Sequence, residues 1–129
     1  MRSQRERPAR SPQCNSLPSQ AVDWDDLRKR TMGDNDLAQS LLQMVLDTLP
    51  AKMVTFERNL AERNLEGLQG EAHGLKGVAL NTGCKALAEI ARRMEAAVRS
   101  DDLEKIRRLQ SELIHESERL RWTIQEQAS

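Results

Sequence analysis

The stretch that decides the fold of this chain is AHGLKGVALNTG, which runs from Ala72 to Gly83. On a helix at about 100° per residue, this stretch and the turn before it form an apolar stripe. The stripe consists of Leu68, Ala72, Leu75 and Ala79, with Leu65 beside it. His73 then falls roughly 120° from the centre of the stripe, on the exposed shoulder of the helix. Lys76 leans back toward the imidazole because helical side chains point toward the N-terminus. The stretch therefore predicts an amphipathic helix that presents an accessible histidine beside one cation.

Glycines cluster on the outward face of the same predicted helix, together with Asn81. They are Gly67, Gly70, Gly74 and Gly77. Each is less favourable than alanine in a helix interior by about 1 kcal/mol. Their position on one face indicates either that a partner approaches this face closely or that two helices of the protein pack tightly there. The pattern alone leaves both interpretations open.

The composition predicts one helical domain. Of the 129 residues, 38% are hydrophobic and only three are aromatic, while β-branched residues are sparse, which favours helix throughout. Twenty basic and twenty acidic residues cancel, so we expect neither a nucleic-acid binder nor a membrane-surface protein. No apolar run approaches the ~20 residues that span a bilayer, and no signal peptide is apparent. These features predict a cytoplasmic protein.

The residue types argue against cofactor chemistry. Cys14 and Cys84 share no metal-ligand spacing, and two isolated thiols fit a reducing compartment. With two histidines far apart in the sequence, we expect no metal site. The chain has no glycine-rich nucleotide loop and no Ser/His/Asp pattern, so it should neither bind ATP nor phosphorylate itself. We therefore expect a protein that is not an enzyme and needs no cofactor of its own.

The N-terminal residues differ in character from the rest of the chain. Residues 1–20 contain four arginines, one glutamate and three of the four prolines, which predicts a disordered basic tail. Residues 21–126 are predicted to form the folded domain. Its first element is a short helix after Asp23, a good N-cap, and Gly33 ends that helix.

Four long amphipathic helices with short connections follow. Their predicted spans are about 34–63, 64–83, 84–99 and 103–124. In the first of them, apolar residues recur every three or four positions and predict a buried stripe. These residues are Leu37, Leu41, Met44, Val45, Leu49, Met53, Phe56 and Leu60. Pro50 should bend this helix, or else break it into two. The pattern predicts an all-α fold, an antiparallel up-down-up-down four-helix bundle with a short N-terminal capping helix.

The run His73-x-x-Lys76-Gly77 in this setting resembles the signature of the histidine-containing phosphotransfer (HPt) domain family, written AH-[ST]-[LI]-KG-x-[AS]-x-x-x-G. The histidine, the lysine, both glycines and the apolar positions agree with that signature. Gly74 departs from it, standing where the family usually has Ser, Thr or another larger residue. The resemblance covers roughly residues 22–122 and implies the same helical bundle.

The resemblance also implies a function, that of a phosphoryl carrier. Nε2 of His73 would attack the acyl phosphate on a receiver-domain aspartate and later pass the group to a second receiver. Lys76 would supply positive charge near the phosphoryl oxygens. The Mg²⁺ and most catalytic groups would belong to the receiver. The implied partners are response-regulator receiver domains and a hybrid sensor histidine kinase, with this protein as a monomer.

The docking face should surround His73 and be flanked by the long helix that precedes it. We assign to this face Gln69, Gly70, Gly74, Gly77, Leu80 and Asn81. Leu80 is either an exposed apolar anchor or a leucine at the edge of the core. The group that hydrogen-bonds Nδ1 of His73 is not predicted by the sequence. Two other functions stay open: a module of the same fold that binds a kinase or receiver without relaying phosphate, and a plain helical adaptor or dimerisation domain.

Overall fold

The computed structural model describes residues 17–128 and contains five helices in this part of the chain. They are α1 (Trp24–Arg30), α2 (Asn35–Ala61), α3 (Leu65–Asn81), α4 (Lys85–Arg99) and α5 (Leu103–Ala128). The described residues include no strand, which confirms the all-α prediction. Of the disordered tail predicted over residues 1–20, residues 1–16 lie outside the described residues.

Side-chain caps explain where the helices begin. Asp23, Asp34 and Asn64 each accept a hydrogen bond from a backbone N–H in the first turn of α1, α2 and α3. The turn between α3 and α4 needs a glycine, because Gly83 has a φ of +71° and a Cβ there would lie 3.0 Å from the Asp23 carbonyl oxygen. The backbone N–H of Asp23 donates to the Gly83 carbonyl at 2.7 Å. The start of α1 is thereby fastened to the end of α3.

The four long helices form an antiparallel bundle. Helix α3 packs against α2 and α4, and α5 packs against the same two helices, so α3 and α5 lie diagonally opposite each other. The short helix α1 contacts α2 and is docked through the buried Val22 and Leu27. One continuous core joins all five helices. Its largest fully buried side chains include Leu42, Phe56, Leu68, Leu75, Ile90, Met94, Leu113 and Leu120. The predicted bundle with a capping helix is confirmed.

Helix α2 runs without interruption past Pro50, so the alternative of two separate helices is wrong. Most of its predicted stripe is buried or partly buried. Leu37 and Met44 are exposed instead, contrary to the prediction. These two residues are seven positions apart and therefore share one edge of α2, outside the arc that the neighbouring helices cover.

The folded part reaches beyond both predicted boundaries, residues 21 and 126. Leu17 is partly buried and packs against the core. Arg119 on α5 donates through Nη1 to the Ser19 carbonyl at 2.9 Å and through Nη2 to the Pro18 carbonyl at 3.3 Å. At the other end, α5 continues to Ala128. Residues 17–20 therefore lie against the bundle, although their composition resembles that of the tail.

The surroundings of two glycines of α3 predict that substitution by alanine changes the free energy of unfolding in opposite directions. A Cβ at Gly67 would lie 2.7 Å from the Asn64 side chain and 2.9 Å from that of Asn59, which is buried, whereas a Cβ at Gly70 would meet no atom within 4 Å. We expect Gly67→Ala to lower the free energy of unfolding by about 1–2 kcal/mol through overpacking. Gly70→Ala should raise it by about 0.5–1 kcal/mol, because alanine favours the helix. Urea denaturation of both variants checks this, and a shift in the same direction for both would contradict it.

Candidate functional site

The site lies on α3, at the edge where this helix meets α4. The apolar stripe of α3 faces the core, and Leu68, Ala72, Leu75 and Ala79 are all buried. The His73 side chain is 71% exposed, as the helical spacing predicts. The core-facing stripe and the exposed imidazole therefore come from the same helical periodicity.

Glu95 on α4 is the group that joins the site together. Its side chain is only 5% exposed, and its Oε2 lies 3.0 Å from Nδ1 of His73. Its other oxygen, Oε1, lies 2.7 Å from Nζ of Lys76. Gln69 donates through Nε2 to the same Oε2 at 3.3 Å. One buried carboxylate thus holds three side chains of α3.

Sequence reasoning missed Glu95, although one signal was present. It falls within the buried side of α4, close to Ala91, Met94 and Val98. An acidic residue in a stripe of this kind requires a partner, because burial of an unpaired carboxylate is costly. That signal marks Glu95 as unusual but does not say which residues of another helix it meets.

The buried carboxylate of Glu95 orients the imidazole. The hydrogen bond and charge of Lys76 hold the pKa of Glu95 below its usual value, with a contribution from His73, against the opposing effect of burial. A carboxylate oxygen only accepts hydrogen bonds, so the hydrogen lies on Nδ1 of His73. In the neutral imidazole the lone pair is then on Nε2, on the other side of an exposed ring. In this tautomer the ring presents an accessible nitrogen lone pair to an approaching group.

Gln69, which the sequence assigned to the docking face, is less exposed than the other residues of that face. It is half-buried and lies beneath the imidazole, donating to Glu95. Its Oε1 is buried and accepts no hydrogen bond from the part of the chain that the structure describes. The approach of α4 leaves Gln69 and Lys76 only partly exposed on this edge of α3.

The remaining residues assigned to the docking face are exposed. A Cβ at Gly77 would meet no atom within 4 Å, as at Gly70, and a Cβ at Gly74 would meet only Nζ of Lys52, at 4.0 Å. Leu80 and Asn81 are also exposed, so Leu80 is not a core residue. Gly74 leaves ample space beside His73, in a position where the HPt signature has a larger residue.

Helix α2 flanks this face, as predicted, and adds apolar surface that the sequence did not reveal. Lys52 on α2 forms an ion pair with Glu71 on α3 at 3.2 Å. Met44 lies about two turns before Lys52 and Val78 about two turns after Glu71, so in antiparallel helices the two residues are expected at a similar level along the bundle. Met44 and Val78 are both exposed. Met44 was wrongly assigned to the buried stripe because the neighbours that border α2 were unknown.

Residues 17–128 contain no group of three or more His, Cys, Asp or Glu side chains that could hold a metal ion. In the same range, no helix is long and apolar enough to cross a membrane. Cys84 is buried, and burial raises the pKa of its thiol, so it is not poised as a nucleophile. Cys14 lies outside the described residues.

The helical bundle and the exposed His73 fit the phosphotransfer class that the sequence signature indicated, and comparison with known proteins shows the same class. The family model of the Hpt domain matches residues 40–122. This chain therefore belongs to the Hpt domain family.

Two curated relatives are signal transduction histidine-protein kinases called BarA. The protein from Shigella flexneri is 33% identical over 101 residues, which cover 73% of this chain and 11% of the relative. The protein from Escherichia coli K12 is 32% identical over the same shares of the two chains. The chain thus matches about 11% of the length of these kinases.

A solved structure shows the same fold. It is the crystal structure of the HPT domain from a sensor hybrid histidine kinase of Shewanella, with a TM-score of 0.67 and 20% sequence identity. The match covers 82% of this chain and 92% of that domain.

Proposed function

We propose that this protein is a phosphorelay intermediate that carries a phosphoryl group on Nε2 of His73. The observation that supports this most directly is the contact between Nδ1 of His73 and the buried Glu95, because it leaves the exposed Nε2 as the nucleophile. Lys76, held at the same carboxylate, places positive charge within reach of the phosphoryl oxygens. Family membership supports the class of reaction.

The transfer step follows from this geometry. The Nε2 lone pair attacks the phosphorus of an aspartyl phosphate on a receiver domain. The P–N bond forms as the P–O bond to the aspartate breaks, and the electron pair of that bond leaves with the aspartate carboxylate. The imidazole ring becomes cationic and keeps its hydrogen on Nδ1, where the Glu95 carboxylate stabilises the new charge. The reverse step delivers the group to a second receiver aspartate.

Lys76 is suited to stabilise the transferred group. Its ammonium has three donors, and the ion pair with Glu95 at 2.7 Å occupies one of them. Positive charge near the phosphoryl oxygens lowers the barrier of phosphoryl transfer. Glu95 therefore positions both the nucleophile and the cation. We expect the Mg²⁺ that such a reaction requires to be bound by the receiver, with no cofactor in this protein.

The partners that we propose are the receiver domain of a hybrid sensor histidine kinase and a response regulator. The proposed docking face combines the open backbone of α3 with apolar side chains on both sides of it. It consists of Gly70, Gly74, Gly77, Asn81, Met44, Val78 and Leu80. We also propose that the protein acts as a cytoplasmic monomer, because its bundle encloses a continuous core without a second copy.

Gly77 provides a test of close docking. Because a Cβ there meets nothing within the protein, Gly77→Ala should raise the free energy of unfolding by about 0.5–1 kcal/mol. If a receiver packs onto this backbone, the added methyl group should lower kcat/KM for phosphotransfer by about tenfold, since overpacking costs about 1–3 kcal/mol. Urea denaturation and transfer kinetics measure the two effects. If Gly77→Ala is more stable than the wild type but has the same kcat/KM for phosphotransfer, the space above Gly77 is not required for receiver docking.

The function itself is tested by phosphotransfer from receiver domains. A panel of receivers from the same organism is loaded with radiolabelled phosphate by their own kinases and mixed with this protein. We expect label that is labile in acid and stable in base, as for phosphohistidine, and that maps by mass spectrometry to the peptide containing His73. Binding to receivers without any such label, across the full panel and with folded protein, would instead favour the non-relaying module.

A further inference from the structure

A cleft of about 390 Å³ opens between α3 and α4, and Lys76, three residues after His73, is part of its lining. We name it the α4 cleft. Its lining residues are Pro18, Lys76, Leu80, Lys85, Ala88, Glu89 and Arg92. Lys76 belongs both to this cleft and to the site, so a protein that covers the imidazole also reaches the cleft.

The ion pairs on α4 present their cations outward. The Arg92 side chain is 59% exposed, whereas its partner Glu89 is 26% exposed. Lys85 is 48% exposed and Asp23, 3.0 Å away, is 37% exposed. In the Arg92 pair the carboxylate is much less exposed than the cation, whereas Lys85 and Asp23 are exposed to a similar degree. The guanidinium of Arg92 and the ammonium of Lys85 are therefore both accessible from solvent at this edge of the bundle.

Arg92 is held in a fixed orientation. Its Nε and Nη2 donate to the two oxygens of Glu89, at 2.9 Å and 2.6 Å. Hydrogen bonds from Arg92 and Arg93 hold the pKa of Glu89 at about 2, so this anchor stays charged at neutral pH. A guanidinium has five N–H donors, so three of those of Arg92 are not used by Glu89. An oriented cation of this kind loses little conformational entropy when it meets a second carboxylate.

Lys76, the third cation of the cleft, also pairs with a carboxylate that is less exposed than itself, that of the buried Glu95. Leu80, which is also exposed, adds apolar surface to the same opening. The α4 cleft thus combines three cations, Lys76, Lys85 and Arg92, with the exposed side chain of Leu80. Of these cations, Lys76 belongs to the same site as His73.

We propose that the α4 cleft binds acidic side chains of the receiver domain that exchanges phosphate with His73, and that Lys85 and Arg92 make these contacts. The inference rests on the proposed function. Charge complementarity identifies the occupant, because a receiver that holds an aspartyl phosphate and Mg²⁺ must place carboxylates around that centre. We infer that the receiver surface around this centre, which must face His73, carries further acidic side chains. Lys85 and Arg92 are specificity-determining residues and take no part in the reaction at phosphorus.

Removal of both cations tests the proposal. In the double variant Lys85→Gln, Arg92→Gln, we expect the KM for the phosphorylated receiver to rise about tenfold, equivalent to about 1.4 kcal/mol. The kcat at saturation should not change, because neither residue contacts His73. The fall of kcat/KM with added salt should also become shallower. Single-turnover transfer from a receiver that labels the wild type, at several salt concentrations, provides all three quantities.

A matched control is the double variant Arg107→Gln, Arg121→Gln, which removes two exposed cations from α5, the helix diagonal to α3. We expect its KM and salt dependence to equal those of the wild type. An unchanged KM in the α4 cleft variant, or an equal rise in the control, would overturn the proposal while leaving transfer to His73 intact. Absence of transfer to the wild-type protein would instead reject the proposed function. Circular dichroism and urea denaturation verify that both variants fold.

Discussion

Replacement of His73 by glutamine is expected to abolish phosphoryl uptake and leave the fold unchanged. Glutamine is similar in length and remains a helix former, and the side chain that it replaces is largely exposed. An amide nitrogen has no available lone pair, so the variant lacks the nucleophile. We expect no detectable label in the transfer assay and a free energy of unfolding within about 0.5 kcal/mol of the wild type, as for most surface substitutions.

His115 supplies the matched control for this experiment. It is the other histidine of the chain, and it is exposed on α5, diagonal to α3. His115→Gln should accept label at the wild-type rate. Label on His73→Gln, or its loss from His115→Gln, would move the acceptor away from α3 and reject our assignment of the site.

Removal of the Glu95 carboxylate is expected to have the second largest effect. In Glu95→Ala, Nδ1 of His73 loses its acceptor, Lys76 is no longer held beside the ring, and Gln69 loses its hydrogen bond. The imidazole can then exchange its hydrogen between the two nitrogens, and its developing charge is no longer balanced. We expect the rate of phosphoryl uptake to fall by about 10–100-fold, which is typical when a residue that orients a reactive side chain is lost. Rapid-quench measurement at saturating receiver gives this rate.

The conservative variant Glu95→Gln separates orientation from charge. Its amide oxygen can still accept from Nδ1 of His73, but it brings no negative charge to the ring or to Lys76. We expect a rate between those of the wild type and Glu95→Ala. Equal transfer rates for the wild type and both variants would show that Glu95 does not act on His73. Any effect of the two substitutions would then be confined to the free energy of unfolding, which urea denaturation measures.

The local features of the site were determined by the sequence. Helical periodicity alone placed Leu68, Ala72 and Leu75 in the core and exposed His73, because both follow from the same 3.6-residue repeat. Capping residues located the helix starts to within a residue or two, since a cap satisfies backbone groups of its own first turn. The resemblance to HPt domains rested on contiguous residues in one helix, and the family model confirms it.

Only the tertiary structure decided what approaches each edge of α3. Asn59 and Asn64 make Gly67 a packing residue, whereas the space around Gly77 stays open. Glu95 reaches His73 from 22 positions further along the chain. Such a contact depends on the rotation and register of two packed helices, which arise from side-chain packing over the whole core. The periodicity within one helix carries no information on that choice, so the exposed position of His73 was predictable from sequence and its partner Glu95 was not.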